Sequence, residues 1–117
     1  MNTIFHLSTC DTCKRIQGEI GKPEGYRLQD IKTEPVSGSQ LKELHALAGS
    51  YESLFNKRAR LYKERGLNKQ ELGEEEYRQL LLEHYTFLKR PVIAGNDHIF
   101  IGNSKKTVAE AKEYLGS

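Results

Sequence analysis

Two cysteines separated by two residues, Cys10 and Cys13, stand where a short apolar run gives way to a helical pattern, and this placement constrains the chain more than any other feature. Thr3-Ile-Phe-His-Leu7 is β-branched and aromatic and is bounded by Ser8-Thr9, so it reads as a buried strand. From Asp11 onward, Cys13, Ile16 and Ile20 recur at helical spacing, and Gly21 with Pro23 beyond supplies a stop signal. Two cysteines in 117 residues cannot build the disulfide framework of a small secreted domain. In an intracellular chain, a Cys-x-x-Cys pair points instead to redox or metal chemistry.

The remaining pattern fixes the fold class. Tyr26 to Lys32 predicts a second strand, interrupted by the polar Arg27, Gln29 and Asp30. Ser37-Gly-Ser-Gln40 matches a capping box, and Leu41, Leu44 and Ala48 follow as a helical stripe up to Gly49. Further helices are expected over Glu52 to Arg65 and Glu74 to His84, the latter with three acidic residues in its first turn, where the helix dipole favours negative charge. After Arg90-Pro91 the texture changes: Val92-Ile93-Ala94, a Gly95-Asn96-Asp97 turn and Ile99-Phe100-Ile101 read as a β-hairpin. Ser104 then caps a last helix carrying Val108, Ala111 and Leu115.

The order β-α-β, helices, β-β-α implies a mixed sheet, its first two strands parallel across a helical crossover and its hairpin antiparallel. That is an α/β, thioredoxin-like (glutaredoxin-like) plan. We expect a single thioredoxin-like domain over residues 1–117, with a core of 1–35 and 86–117 and an all-helical insert of 36–85.

Composition narrows the function classes. Hydrophobic residues at 37% and charged residues at 29% suffice for one core, and a net charge of +2 is too small for a dedicated nucleic-acid binder, so no direct nucleic-acid binding is expected. No run approaches the roughly 18 apolar residues of a membrane span, and the N-terminus lacks the pattern of a secretory signal. A cytoplasmic protein without a membrane role is the expectation.

A thiol attacks only as a thiolate, and a cysteine in the loop feeding a helix N-terminus has its pKa lowered by the dipole and the unpaired N–H groups. Cys10 has that position. Cys13, about one helical turn on, is placed either to resolve an intermediate as a disulfide or, being on the apolar stripe, to serve as a core cysteine. Lys14 and Arg15 add positive charge nearby. His6, at the strand end, either stabilises the thiolate or is a half-buried strand histidine.

His45 and His84 read as surface or interhelical polar contacts, and His98 flanks the hairpin turn; none is assigned chemistry. A zinc site needs two more ligands at suitable spacing than the cysteine pair supplies, and the histidines are scattered, so no metal is expected. Gly95 and Gly102 are isolated turn residues, not a phosphate-cradling loop, so no bound organic cofactor is expected. Lys57, Arg58 and Arg60 by themselves are an ordinary solvated cluster. Arg90 differs, because it precedes Pro91 at a strand entry, where a cis bond would hold backbone against the active site. Arginines converging near a thiolate make an oxyanion site.

Phe5-His-Leu-Ser-Thr-Cys10-Asp-Thr-Cys13-Lys-Arg15, Leu54-Phe-Asn-Lys-Arg58 and Leu88-Lys-Arg-Pro-Val-Ile93 together resemble the glutaredoxin-coupled arsenate reductase and Spx regulator family. The resemblance spans nearly the whole chain. It implies a nucleophile at Cys10, a histidine four residues upstream at His6, and oxyanion-holding arginines at Arg58 and Arg90. It also implies glutathione as co-substrate and glutaredoxin or thioredoxin as reductant, acting on an oxyanion or thiol substrate.

Two departures stand out. The third arginine of the reductases falls near Gly102-Asn103, where this sequence has none, and Cys13 replaces the serine of the glutathione-dependent reductases, as in Spx-like members. The reading is therefore an arsenate-reductase-like thiol oxidoreductase. The alternative is an Spx-like redox-sensing regulator that binds RNA polymerase, although such regulators generally extend further than Leu115-Gly-Ser117.

Overall fold

Thr3–His6 forms the first strand because its Ile4 and Phe5 side chains leave on opposite faces and both are buried, at 4% and 0% exposure. The structure, a computed structural model, describes residues 2–21 and 24–116. Pro23, part of the expected stop after the first helix, lies outside them. In chain order the elements are β1 (Thr3–His6), α1 (Asp11–Ile20), β2 (Arg27–Asp30), α2 (Gly38–Ala48), α3 (Arg60–Glu64), α4 (Glu74–Glu83), β3 (Val92–Ala94), β4 (Ile99–Ile101) and α5 (Lys105–Gly116). Short 3-10 turns occupy Glu52–Leu54, Leu67–Lys69 and Tyr85–Phe87.

The chain divides into two compact units, Met1–Glu34 with Arg90–Ser117, and Pro35–Lys89. The first holds a four-stranded sheet of order β2-β1-β3-β4, parallel between β1 and β2 and antiparallel elsewhere. This is the thioredoxin-like arrangement. β3 is an inner strand, paired to both β1 and β4. On one face Ile4, Ile93 and Ala111 form a core extended by Ile20 of α1 and Leu115 of α5; on the other, Phe5, Val92 and Ala94 are each fully buried. The second strand is shorter than the Tyr26–Lys32 expected. Tyr26 uses its hydroxyl on His98 Nε2 at 2.6 Å, and after Asp30 the chain turns, with the N–H groups of Thr33 and Glu34 both donating to the Asp30 carbonyl.

In the second unit the Ser37 capping box forms as its sequence predicts, closed by Gln40, and Gly49 ends α2 in the left-handed region at φ 89°. The helix expected over Glu52 to Arg65 does not form as one piece. Leu54 and Phe55 are adjacent and both buried, at 0% and 1%, and a helix turns neighbouring side chains about 100° apart. The chain instead straightens at Phe55, which bridges Leu88 and stacks its ring on Phe87 at 5.2 Å; helix resumes only after Ala59. That bridge, with the Lys89 N–H donating to Leu54 O at 2.8 Å, ties Lys89 into this unit.

Candidate active site

The site is built at the carboxyl end of β1, an inner strand, where the chain leaves the sheet and enters α1. A turn closed by the Cys10 N–H on Leu7 O at 3.0 Å delivers Cys10 to the N-cap of α1 with extended backbone, φ −94° and ψ 116°. Cys10 is half-buried and Cys13 is 2% exposed; both are free thiols. An N-cap position faces backbone N–H groups that have no partner within the helix. Two of them, the N–H groups of Thr12 and Cys13, act on the Cys10 sulfur.

The two thiols differ in acidity. Burial pushes the Cys10 thiol up, but the backbone N–H and thiol of Cys13, the backbone N–H of Thr12 and the Arg90 guanidinium all favour the charged sulfur and bring it below its ordinary value. Cys13 moves the other way. Burial among apolar side chains pushes it up to about 11, and the neighbouring Cys10 adds to the rise. Of the two, Cys10 therefore gives up its proton first and Cys13 keeps its own.

Arg90 arrives from the strand beside β1. The register Phe5↔Val92 sets the start of β3 beside the end of β1, and the Arg90–Pro91 bond is cis. Gly102, at φ 90°, donates its N–H to Pro91 O at 2.9 Å, so the Gly102-Asn103 segment is fastened to the same corner. Pro91, Ile4, Ile16, Ile20 and Ile93 line a narrow apolar cleft that reaches Cys13, with His6 and Gln17 among its walls.

The first unit thus gathers Cys10, Cys13, Arg90, Pro91 and His6. Lys14 and Arg15 lie on α1 with exposed side chains. His6 is half-buried in the cleft wall, and its charge acts on Asp30, its register partner in β2. Arg58 belongs to the second unit, in the turn before α3, where its backbone N–H donates to Asn56 Oδ1 at 3.0 Å and its side chain is exposed. Its neighbour Lys57 is paired with Glu52 at 2.6 Å. His45 approaches Glu74 of α4 at 3.9 Å, and His84 accepts the Thr86 N–H at 3.1 Å. Among the described residues, no group of three or more His, Cys, Asp or Glu could hold a metal.

Sequence reasoning missed Asp30, whose carboxylate grips Ser8 two residues before Cys10, through Ser8 Oγ at 2.6 Å and the Ser8 N–H at 3.4 Å. It read Asp30 only as a flaw in an apolar strand pattern. The available signal was an aspartate at a strand end accepting from the backbone two residues on, as Asp30 does from the Lys32 N–H at 3.2 Å.

Residues 5–111 match the ArsC family. The chain belongs to that family. Among solved structures, an ArsC family related protein from Bacteroides fragilis superposes with a TM-score of 0.79 at 21% identity, covering 94% of this chain and 96% of that one. An arsenate reductase from Vibrio cholerae gives 0.71 at 22% identity, with 94% and 98% covered. These likenesses establish the shared thioredoxin-like fold. In sequence, the global transcriptional regulator Spx of Streptococcus mutans serotype c is 24% identical over 104 residues, 87% of this chain and 76% of its own. The ArsC relatives of this chain thus include both reductases and regulators. No helix among the described residues is long and apolar enough to cross a membrane.

Proposed function

We propose that this ArsC-family protein is a thiol oxidoreductase of the arsenate reductase type, in which Cys10 is the nucleophile and Cys13 resolves. The observation that carries this reading is the opposed acidity of the two thiols: Cys10, at the N-cap of α1 with Arg90 on its sulfur, is favoured as thiolate, while Cys13 is held protonated beneath it.

The Cys10 thiolate bonds to arsenic(V), and a hydroxyl ligand of arsenate, taking a proton from solvent, leaves as water. The Cys13 sulfur then attacks the Cys10 sulfur. The sulfur–arsenic bond breaks with its electron pair left on arsenic, giving arsenic(III) and a Cys10–Cys13 disulfide, and the Cys13 proton goes to solvent. Once Cys10 is bonded and uncharged, its contribution to the high Cys13 pKa disappears, which readies the second thiol for its step. Arg90 orients the oxyanion with its planar fork, Lys14 and Arg15 raise the positive potential at the start of α1, and His6 assists thiolate formation. Glutathione with glutaredoxin, or thioredoxin, returns two electrons to the disulfide; glutathione can also take the place of Cys13 in the second attack.

The test is arsenate-dependent NADPH consumption with glutathione, glutaredoxin and glutathione reductase, comparing the wild type with Cys10→Ser and Cys13→Ser. Turnover that vanishes with Cys10 and slows with Cys13 is expected. Equal activity of wild type and Cys10→Ser would overturn the reading. A second reading, a redox-sensing regulator that binds RNA polymerase, draws support from the Cys-x-x-Cys pair and the Spx relatives. It calls for a reversible Cys10–Cys13 disulfide without turnover.

A further inference from the structure

We infer that Asp30 is a positioning residue for the Cys10 nucleophile, acting through Ser8 as a clamp on the loop between β1 and α1. The inference rests on the reading of Cys10 as the reactive thiolate. Four residues, 7–10, carry the chain from the sheet to the helix, and they are held at two points. One is the Cys10 N–H on Leu7 O at 3.0 Å. The other is the Asp30 carboxylate, which accepts the Ser8 hydroxyl on Oδ2 at 2.6 Å and the Ser8 N–H on Oδ1 at 3.4 Å.

Asp30 is itself anchored. It ends β2 in register with His6, the next residue Ile31 donates its N–H to His6 O at 2.9 Å, and Oδ1 also accepts the Lys32 N–H at 3.2 Å. The clamp therefore ties the nucleophile's loop to the edge strand as well as to its own strand. The Ser8 hydroxyl above all holds the Asp30 carboxyl below the usual carboxylate range, with the charge of His6 a lesser contribution, so the clamp stays ionised throughout the range in which a thiol titrates.

The sign of its effect separates positioning from plain electrostatics. A negative charge near a thiolate disfavours it, so if Asp30 acted on Cys10 only through its field, neutralising it would lower the Cys10 pKa. Loosening the loop does the opposite, because the sulfur then loses its fixed approach to the N–H groups of Thr12 and Cys13 and to Arg90.

The experiment is the pH dependence of Cys10 alkylation by iodoacetamide, followed by peptide mass spectrometry, in wild type, Ser8→Ala, Asp30→Ala and Asp30→Asn. We expect the alkylation midpoint to rise by about half a unit or more in Ser8→Ala and Asp30→Ala, and by less in Asp30→Asn, which keeps an acceptor for the Ser8 hydroxyl. An unchanged midpoint in Ser8→Ala, or a lowered one in either Asp30 variant, would overturn the clamp. Ser8 is exposed and its replacement changes no charge, so this variant remains informative if those at Asp30 unfold. A wild-type midpoint at the ordinary thiol value would count against the oxidoreductase reading, whereas the shift between variants and wild type reports on the clamp alone.

Discussion

Cys10 and Cys13 share a hydrogen bond and are driven apart in acidity by it: the contact favours the charged sulfur on Cys10 and disfavours it on Cys13. One turn of helix separates an N-cap whose sulfur takes the N–H groups of Thr12 and Cys13 from a buried position at 2% exposure. Burial of Cys13 adds the larger part of its rise, so depth and the shared hydrogen bond act in the same direction on this thiol.

The first prediction concerns pH and stability. The Cys13 value rises on folding from 9.0 to about 11, so the unfolded chain loses this proton first. A group raised in this way favours the folded state fully below its unfolded value, and that contribution is lost as pH climbs from about 9 through 11. Chemical denaturation of the reduced protein at pH 8 and pH 11 should show a loss that Cys13→Ala reduces by about 1–2 kcal/mol. An identical alkaline loss in both proteins would refute the assignment.

The second concerns Arg90. Arg90→Ala removes a charge-assisted donor from the Cys10 sulfur, a contact worth about 1.5–3 kcal/mol, or one to two decades in rate or affinity. Cys10 alkylation at neutral pH should slow, and arsenate kcat/KM should fall by about tenfold or more. Arg90→Lys keeps the charge but not the planar fork, so it should restore alkylation better than turnover. Full turnover in Arg90→Ala would show that the oxyanion is held elsewhere.

A large part of the fold was legible because it depends on local signals of the kind a sequence displays. The strand before Cys10, the Ser37 capping box, the Gly95-Asn96-Asp97 turn and the stripe of α5 each follow from a pattern within a few residues. The Glu52 to Arg65 segment was misread because its conformation is set by a partner far along the chain: Phe55 is extended in order to pair with Leu88. The site divides in the same way. Cys10 and Cys13 are recognisable by spacing, whereas Asp30 reaches Ser8 across 22 residues, which only the parallel register of β1 and β2 reveals.

The third prediction restores a charge. The family resemblance puts the missing third arginine near Gly102-Asn103, and the Gly102 N–H on Pro91 O fastens this segment to the corner that carries Arg90. Gly102 at φ 90° accepts a side chain only with strain, but Asn103 is exposed. Asn103→Arg should raise arsenate kcat/KM by about tenfold, in line with one added charge-assisted contact, and speed Cys10 alkylation at neutral pH, because an added cation favours the thiolate. No gain would indicate that the substrate is not an oxyanion of this kind.

The last prediction lies at the far end of the sheet, where β3 turns into β4. His98 is held there by the Tyr26 hydroxyl at 2.6 Å on Nε2 and by Asp97 Oδ1 at 3.1 Å on Nδ1, with the Tyr114 ring 4.2 Å away. A methyl group on Gly95 would run into this imidazole, with both ring nitrogens within 2.7 Å of the new carbon. The ring is fixed on two sides and cannot swing aside without breaking these bonds, so Gly95→Ala should destabilise the protein by about 1–3 kcal/mol in equilibrium denaturation. Cys10 reactivity should be spared, because β3 runs antiparallel to β1 and carries Gly95 away from the Cys10 end. Alkylation that slowed along with stability would mean that the hairpin and the thiol site are coupled through β3.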